Sequence, residues 1–457
     1  MASRFTPYLA WPLVCVLMGC VTGGHAPLQA LDRLTFGPRP GEVDSVGRVG
    51  IKRWIDTQLH PERIDDAAAD RLLARFPAES MHTANLARIY VLPQELRSQR
   101  TKYPLPPDSA QRHDDSVALK QADAASNRIL TDLQASRVAR AVVSQRQLLE
   151  VMTDFWENHF SIYSGKGPER YLLVDFDRDV VRPHALGKFR DLLSAVAHSP
   201  AMLYYLDNWD SGAEPTRPLL VGNARRKGHG LNENYGRELL ELHTLGVDGG
   251  YTQQDVIDVA RAFTGWTILD PEHVGQFEFR PEWHDAGPKM VLGHTLPAGQ
   301  GLADGETVLD VVARHPATAR FIARKLCVRF VSDSPPPALV DRAAATFMRT
   351  DGDIREVVRT IVTSHEFYVA VTSRTKVKSP FEFVVSAFRA MNAPPDTTPR
   401  AAQTVGNLGE PLFGHVAPNG YPETGEEWMN AGALLNRVKF VLGLKAPVLE
   451  TPEFQRR

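Results

Sequence analysis

The stretch Leu231-Asn-Glu-Asn-Tyr-Gly-Arg-Glu-Leu-Leu-Glu-Leu-His-Thr-Leu-Gly246 combines many polar groups with a regular apolar repeat. Its spacing predicts a helix that ends at Gly246, because glycine is common just past a helix C-terminus. Asn234, Glu238 and Glu241 recur at i, i+4 and i+7 and therefore share one polar stripe. An apolar stripe lies beside it, formed by Tyr235, Leu239 and Leu242. The stretch predicts carboxylates held at the edge of a helical core.

Helical periodicity extends over most of the chain and predicts a mainly α protein. The region 274–295 departs from this pattern, because Phe277 and Phe279 alternate with polar residues. Residues 289–293 are expected to pair back on them as a β-hairpin. We therefore expect a multi-helix globular bundle with one small β-hairpin element, in a single large domain that covers residues 28–450.

Length and composition exclude several classes of protein. The 457 residues are 43% hydrophobic and 23% charged, which is ordinary for a soluble globular protein and argues against wholesale disorder. The formal net charge of −2 gives no global field that would attract nucleic acid. We therefore expect no nucleic-acid partner.

Residues 1–19 have the features of a lipoprotein signal peptide. Arg4 is the only charge in a short lead, and the apolar run that follows is too short to span a bilayer. The run ends in Leu17-Met-Gly-Cys20, the pattern of a bacterial lipobox, where Cys20 becomes the diacylated N-terminus. Ordinary secretory cleavage near position 23 or 26 is the alternative. We predict a membrane lipid anchor at Cys20, a tether over 20–27 and an extracytoplasmic location, at the outer membrane if the cell is Gram-negative.

Two histidines are candidate catalytic residues. His159 lies in Trp156-Glu-Asn-His-Phe160, and a partly buried histidine with acidic neighbours titrates near neutral pH. Because His159 continues the apolar stripe of its helix, a satisfied core histidine is the alternative. His284 lies in Trp283-His-Asp-Ala-Gly-Pro-Lys289, in the predicted hairpin loop, where an exposed Asx-type turn is the alternative.

Glu233, Glu238 and Glu241 are the candidate carboxylates, because a pair of acids can catalyse hydrolysis without any local motif, and the catalytic roles are assigned to Glu238 and Glu241. The candidate binding residues are Asn232, Asn234, Arg237, Arg261, Trp156, Trp266 and Asp285. We expect Arg237 or Arg261 to set the carboxylate pKa values and Trp156, Trp266 and Trp283 to stack on sugars. The alternative is that Glu238 only forms an ion pair or a helix cap. These residues identify no particular metal or cofactor.

Other motifs are excluded or given a structural reading. Asp175-Phe-Asp-Arg-Asp179 begins like a calcium loop, but Val180 and Leu186 stand where an EF-hand needs glycine and glutamate. These acids, followed by Arg178 and Arg182, instead predict a surface ion-pair network. The chain also lacks Gly-x-Ser-x-Gly, a P-loop, His-Glu-x-x-His and a dinucleotide fingerprint. The sequence therefore lacks the motifs that are typical of the main nucleotide-dependent enzymes and of serine hydrolases.

Several segments resemble a large bacterial family, domain of unknown function 1800. They include 31–38, 155–160, 184–187, 189–193, 232–246, 251–256, 263–266, 284–285, 292–293, 411–413 and 420–422. Gly236 departs from the family pattern, which places Ala there, and the glycine costs a helix roughly 0.5–1 kcal/mol. The resemblance implies an exported protein, often encoded beside a second uncharacterised family with a sulfatase-like look. This gene neighbourhood implies, by association only, a function in the cell envelope or on a polymer.

Two hypotheses follow from these residues. In the first, the protein is an extracytoplasmic hydrolase of an envelope or extracellular polymer, such as a polysaccharide, and Glu238 and Glu241 act with His159 and His284. In the second, it is a non-catalytic envelope binding or assembly protein that partners a neighbouring exported protein, and the polar helix is a buried network that fixes packing. Convergence of the four side chains on one open cleft would favour the first.

Overall fold

The computed structural model describes residues 26–104, 110–213, 220–221, 224–225, 230–372, 376–444, 449 and 451–457. The predicted signal peptide and Cys20 lie outside the described residues. Within the described residues, no helix is long and apolar enough to cross a membrane.

Helices make up most of the described chain, which confirms the predicted mainly α fold class. In the N-terminal half, α-helices cover Ala26–Leu34, Glu42–Val49, Ile51–Gln58, Ala67–Leu73, Thr83–Lys102, Ala110–Val143, Gln147–His159, Glu169–Asp175, Arg182–His184, Phe189–Ala197 and Pro200–Tyr205. In the C-terminal half they cover Asn234–Glu238, Gln253–Ala262, Leu302–Ala313, Pro316–Phe330, Pro337–Arg349, Ile354–Val362, His365–Thr372, Pro380–Ala390, Arg400–Asn407 and Ala431–Leu444.

The strand pairing differs from the predicted hairpin. Gln276–Phe279 pairs antiparallel with the preceding strand Trp266–Leu269, and Lys289–Val291 pairs with His294–Leu296. A further two-residue pair joins Leu220–Val221 to Ala224–Arg225. The predicted pairing of Phe277 and Phe279 with residues 289–293 is therefore wrong. Each segment instead pairs with a neighbour closer in sequence, and local pairing leaves a shorter loop to close.

Two helices continue through a π-helical turn. Glu169–Asp175 runs into the π-helix Phe176–Val181, and Asn234–Glu238 runs into the π-helix Leu239–Thr244. We call residues 234–244 the central helix. Its π turn is closed by the amide N–H of Leu245, which donates to the carbonyl oxygen of Leu240 at 2.9 Å. π turns are rare and are frequently found at functional sites.

The π turn changes which side chains of the central helix face the core. Tyr235 and Leu239 are buried as predicted, but Leu242 is only partly buried. Leu240 and His243 are buried in its place. The prediction that Leu242 faces the core assumed an unbroken α-helix and is wrong. In a π turn the carbonyl of residue i accepts from the N–H of residue i+5, so the residues that follow are rotated around the helix axis.

The central helix is fixed against the helix Gln253–Ala262. That second helix begins with the predicted capping box, in which Thr252 Oγ1 accepts from the Asp255 N–H and the Asp255 carboxylate accepts from the Thr252 N–H. Gly246 adopts a positive φ of 84° just after the π turn, as expected of a glycine that ends a helix. One large hydrophobic core runs behind both helices.

Candidate functional site

Glu238 and Glu241 lie half-buried on the central helix. The hydroxyl of Tyr251 donates a hydrogen bond to Glu241 Oε2 at 3.1 Å. In the described part of the chain, no lysine or arginine lies within ion-pair distance of either carboxylate. Arg237 instead contacts Glu233 at 3.4 Å and Gln253 at 2.9 Å. Among the described residues, Glu238 therefore has neither of the ion pairs, with Arg237 or Arg261, that the sequence offered as the alternative.

The surroundings of Glu238 favour its protonated form. Burial raises the pKa of Glu238, and the negative charge of Glu241 raises this pKa further, while Arg237 opposes both effects. Burial, followed by Glu241, also raises the pKa of Tyr251 to about 12, so its hydroxyl stays a hydrogen-bond donor at neutral pH. The pair therefore offers one carboxyl group that holds a proton more tightly and one carboxylate fixed by a phenol.

Asn232 and Asn234 attach the start of the central helix to the preceding segment. The side-chain amide of Asn232 donates to the carbonyl of Asp207 at 3.0 Å, and that of Asn234 donates to the carbonyl of Leu206 at 3.3 Å. Asn232 Oδ1 also accepts from the backbone N–H of Asn234 at 2.9 Å. These contacts position the helix, so both asparagines have a structural task in addition to any contact with a ligand.

His159 lies behind the central helix in a buried aromatic cluster. Its Nδ1 accepts from Lys325 Nζ at 2.8 Å, and its Nε2 donates to the carbonyl of His243 at 3.1 Å. Burial, then the charge of Lys325, then His243, lower the pKa of His159 well below its usual value. The prediction that acidic neighbours let His159 titrate near neutral pH is therefore wrong. This imidazole is the satisfied core histidine of the alternative reading.

His284 belongs to a different, closed network. Its Nδ1 contacts the carbonyl oxygen of Thr264 at 2.8 Å, and its Nε2 contacts Asp304 Oδ2 at 3.0 Å. Lys289 Nζ reaches the same Asp304 oxygen at 2.7 Å, and the side chains of all three residues are almost completely buried. His284 is not exposed on a hairpin loop, because one ring nitrogen contacts Asp304 in the helix Leu302–Ala313 and the other contacts the backbone at Thr264.

Arg261 and Asp285 complete this second network. Arg261 binds Asp285 at 2.7 Å through Nε and Asp258 at 2.6 Å through a terminal nitrogen. Arg261 is thus engaged by two acids. Burial raises the pKa of Asp285, but the hydrogen bond from Arg261 and the backbone N–H of Gly287 outweigh burial and leave this pKa lowered. The expectation that Arg261 sets the pKa of the central carboxylates is therefore wrong.

Trp156 and Trp266 are core residues. Both side chains are fully buried, and Trp156 Nε1 donates to the carbonyl of Ala185 at 2.9 Å. Stacking on a sugar requires an exposed ring face, so neither indole supplies the predicted sugar surface. The predicted site thus divides into three places: the acid pair on the surface of the central helix, His159 behind it, and His284 in a separate network.

A cleft that the site prediction missed brings together three segments that carry the family resemblance. Asn158 Nδ2 donates to the carbonyl of Tyr421 at 2.8 Å, and Asn158 Oδ1 accepts from the Tyr421 N–H at 2.7 Å. Gly420 has a φ of 71°, and a Cβ there would collide with the carbonyl of Asn158. Leu412 and Phe413, from a third segment, also line the cleft. The signal in the sequence that points to this cleft is that all three segments belong to the family resemblance.

Most charges in this cleft are already neutralised. Arg329 pairs with Asp154 at 3.0 Å, Glu382 at 3.1 Å and Glu423 at 3.5 Å. The exception among the described carboxyl groups that line the cleft is Glu410, which accepts from the backbone N–H of Phe381 at 2.7 Å. Burial raises the pKa of Glu410 to about 8, so it is largely protonated at neutral pH.

The cleft is too small for a sugar ring. Its two parts have volumes of about 50 and 20 Å³, enough for a few water molecules at most. The described residues also contain no group of three His, Cys, Asp or Glu side chains placed to hold a metal ion. The cleft is therefore a polar network within the fold, and the acid pair remains the better catalytic candidate.

Comparison with known proteins identifies the class of this chain. A family model described as "Protein of unknown function (DUF1800)" matches residues 29–455. The chain therefore belongs to this family, as its motifs indicated. It matches no curated protein and no solved structure.

Proposed function

We propose that this protein is a hydrolase of an extracytoplasmic polymer, such as a polysaccharide, and that Glu238 and Glu241 carry its acid–base chemistry. The supporting observation is the acid pair itself: two neighbouring, half-buried carboxyl groups that no described cation neutralises. By contrast Asp304 and Glu382, two buried carboxylates elsewhere in this fold, are paired with cations.

The different surroundings of Glu238 and Glu241 suit two different roles in hydrolysis. Hydrolysis of a glycosidic bond needs a proton donor with a raised pKa and a second carboxyl group that remains ionised. Glu238 would donate its proton to the leaving oxygen as the carbon–oxygen bond breaks. Glu241, oriented by the hydroxyl of Tyr251, would take a proton from the attacking water as the new carbon–oxygen bond forms.

A panel of envelope and extracellular polysaccharides tests this proposal, with release of reducing ends as the readout. On the polymer that the protein cleaves, Glu238→Gln and Glu241→Gln should each lower kcat by about 10²–10⁴-fold, the usual contribution of a general acid or base. Glu233→Gln is the matched control, because Glu233 is already engaged by Arg237 and Gln253. Unchanged turnover in both central variants would exclude these roles.

The location is part of the proposal. The lipobox pattern at Cys20 supports an acylated, membrane-anchored protein outside the cytoplasm. Cys20→Ser should move the protein from the membrane fraction to the soluble extracytoplasmic fraction. A protein that stays in the membrane fraction after this change would contradict the lipid anchor.

A second candidate function is that of a non-catalytic assembly protein. Its partner would be the second exported protein that is often encoded beside members of this family. The observation that favours it is an apolar stripe on Ala431–Leu444, where Leu435, Val438 and Leu442 are 54%, 51% and 56% exposed. Exposed apolar patches often mark protein interfaces. Co-elution of the two exported proteins should then be lost in Leu435→Glu/Val438→Glu and kept in Glu238→Gln. Co-elution that survives the double substitution would exclude this surface.

A further inference from the structure

A second polar cavity of about 440 Å³ lies away from the acid pair. The helix Ala67–Leu73, the end of Ala110–Val143, the start of Gln147–His159 and the π turn Phe176–Val181 surround it. Five arginines line it: Arg140, Arg146, Arg178, Arg182 and Arg355. Four acids also line it, Glu62, Asp66, Asp70 and Glu150, so the lining carries one more positive than negative charge.

Arg140 is the unusual member of this lining. Its side chain is partly buried, and its guanidinium has no hydrogen-bond or ion-pair partner among the described residues. Glu150, Asp177 and Glu79 attract it from a distance. Two of these acids are committed elsewhere, since Arg182 binds Glu150 at 2.8 Å and Asp177 at 3.2 Å. A guanidinium that is partly removed from water without a direct partner costs the fold free energy. A ligand that supplies the missing negative charge would offset this cost.

Arg146 presents a second positive charge to the same cavity. Its Nε and one terminal nitrogen donate to the carbonyl of Ile64 at 3.0 and 2.9 Å. In the described chain, no carboxylate lies within ion-pair distance of Arg146. Asp66, the acid on that side of the cavity, is already held by Ser144 at 2.6 Å and by the backbone N–H of Gln145 at 2.8 Å.

The remaining arginines are structural parts of the wall. Arg178 binds Asp175 and Asp179, both at 2.6 Å, and Arg182 binds the two acids named above. The π turn that carries Arg178 thus forms an ion-pair network, as the sequence predicted. The predicted surface position is wrong for part of it, because Asp177 and Glu150 are buried. The π turn also fixes one wall of the cavity, so that Arg140 and Arg146 face a preformed space.

We propose that this cavity binds a tetrahedral oxyanion, a phosphate or sulfate group, with Arg140 and Arg146 as its cationic ligands. Guanidinium groups bind such oxyanions through two parallel hydrogen bonds, and the cavity volume leaves room for a larger molecule attached to the anion. The site uses none of the residues of the acid pair. It therefore stands or falls independently of the proposed hydrolase.

Calorimetric titration with inorganic phosphate and with sulfate, at constant ionic strength, tests the site. The wild-type protein should bind at least one of the two anions saturably at one site. Arg140→Met should weaken that binding at least tenfold, whereas Arg320→Met, which removes an exposed arginine paired with Asp341, should not change it. Glu238→Gln should bind the anion like the wild-type protein.

Thermal unfolding separates a ligand site from a structural arginine. Without anion, Arg140→Met should keep or raise the Tm, because it removes a partly buried charge that has no direct hydrogen-bond or ion-pair partner among the described residues. Arg140→Lys keeps the positive charge but loses the planar guanidinium group that can form two parallel hydrogen bonds. The affinity of this variant for the anion should therefore lie between those of the wild-type protein and Arg140→Met. Absence of saturable binding of either anion to the wild-type protein, or equal affinity in Arg140→Met, would overturn the proposal. Loss of folding in Arg140→Met combined with unchanged affinity in Arg140→Lys would overturn it as well.

A sulfated or phosphorylated oligosaccharide then identifies the source of the anion. Affinity above that of the inorganic anion indicates that the group is carried by a larger ligand. Equal affinity indicates that the free ion is the ligand. In both cases the gain over an uncharged oligosaccharide should disappear in Arg140→Met.

Discussion

Lys325 donates a hydrogen bond from Nζ to Nδ1 of His159 at 2.8 Å, and this contact keeps the imidazole neutral. A protonated ring would have no lone pair to accept this bond and would face a second positive charge. On the other side of the ring, His243 is also neutral, because burial and then Lys325 lower its pKa to about 3. The core behind the central helix therefore contains two neutral histidines in contact.

The first prediction concerns acid sensitivity. Both histidines take up protons on unfolding, where their pKa returns to about 6.5, but not in the folded protein. Their contribution to stability is therefore complete above pH 6.5 and is lost as the pH falls toward 3. Each histidine should add up to about 1.4 kcal/mol per pH unit to the slope of the unfolding free energy.

Denaturant unfolding between pH 7 and pH 4.5 measures this slope. His243→Gln should lower the slope by an amount that corresponds to nearly one proton fewer taken up on unfolding. His113→Gln, on the exposed surface of Ala110–Val143, should leave the slope unchanged. Lys325 does not interfere in this range, since burial lowers its pKa only to about 8. An unchanged slope in His243→Gln would show that this histidine is protonated in the folded state.

The second prediction concerns Gly236. From helix propensity alone, Gly236→Ala should stabilise the central helix by about 0.5–1 kcal/mol. In the structure, a Cβ at this position would lie 2.9 Å from the carbonyl oxygen of Val256 and 3.0 Å from the amide nitrogen of Ala260. Because backbone atoms of the adjacent helix would have to move, an overpacking cost of about 1–3 kcal/mol should outweigh the propensity gain.

Thermal unfolding of Gly236→Ala should therefore give a lower Tm than wild type. A matched control is Gly443→Ala, also in a helix, where a Cβ would meet nothing within 4 Å. That substitution should raise the Tm or leave it unchanged. A higher Tm in Gly236→Ala would mean that the two helices separate at little cost.

The third prediction distinguishes a structural His284 from a catalytic one. Asp304 is the shared acceptor of His284 and Lys289, and its removal would leave the buried ammonium group of Lys289 with only the more distant Asp285, at 4.0 Å, as a counter-charge. Asp304→Asn should lower the free energy of unfolding by about 3–5 kcal/mol, as for other broken buried ion pairs. Asp341→Asn, at an exposed pair, should change it by less than about 1 kcal/mol.

His284→Asn should behave like a milder version of Asp304→Asn. Urea unfolding should show lost stability, and turnover measured well below the Tm should remain close to wild type. A large loss of turnover with unchanged stability would instead return His284 to the catalytic role that its sequence context suggested.

The sequence predicted the class of fold and the surface of the central helix well, because both depend on local periodicity. Turns such as the Thr252 capping box and the glycine stop at Gly246 were confirmed for the same reason. The π turn was not predictable from the spacing, because a single inserted residue shifts burial from Leu242 to His243 without any local mark.

Contacts between segments that are far apart in the sequence could not be predicted from hydrophobic periodicity. Arg329 and Asp154 are 175 residues apart and form one ion pair, and Asn158 binds Tyr421 across 263 residues. A pattern shows which residue types share a face of a helix, but not which helices meet. This is why the predicted catalytic histidines separate from the acid pair and why the arginine-lined cavity was found only in the structure.

The last prediction concerns Glu169, a buried carboxyl group. Its side chain is completely buried, and neither carboxylate oxygen has a hydrogen-bond partner in the described chain. Burial raises its pKa well above the usual value, only partly offset by Lys166, which is itself paired with Asp207 at 2.6 Å. Glu169 should therefore keep its proton to a higher pH in the folded protein than in the unfolded chain.

Such a group makes stability fall as the pH rises. Above about pH 4.5 the unfolded chain releases the proton that the folded protein keeps, so the unfolding free energy decreases up to the folded pKa. Glu169→Gln removes this titration and keeps the shape of the side chain. The variant should match wild type near pH 4.5 and have a higher unfolding free energy than wild type at pH 8. Denaturant unfolding at both pH values measures the difference, and a variant that is less stable than wild type at pH 8 would mean that Glu169 is ionised and paired in the folded state.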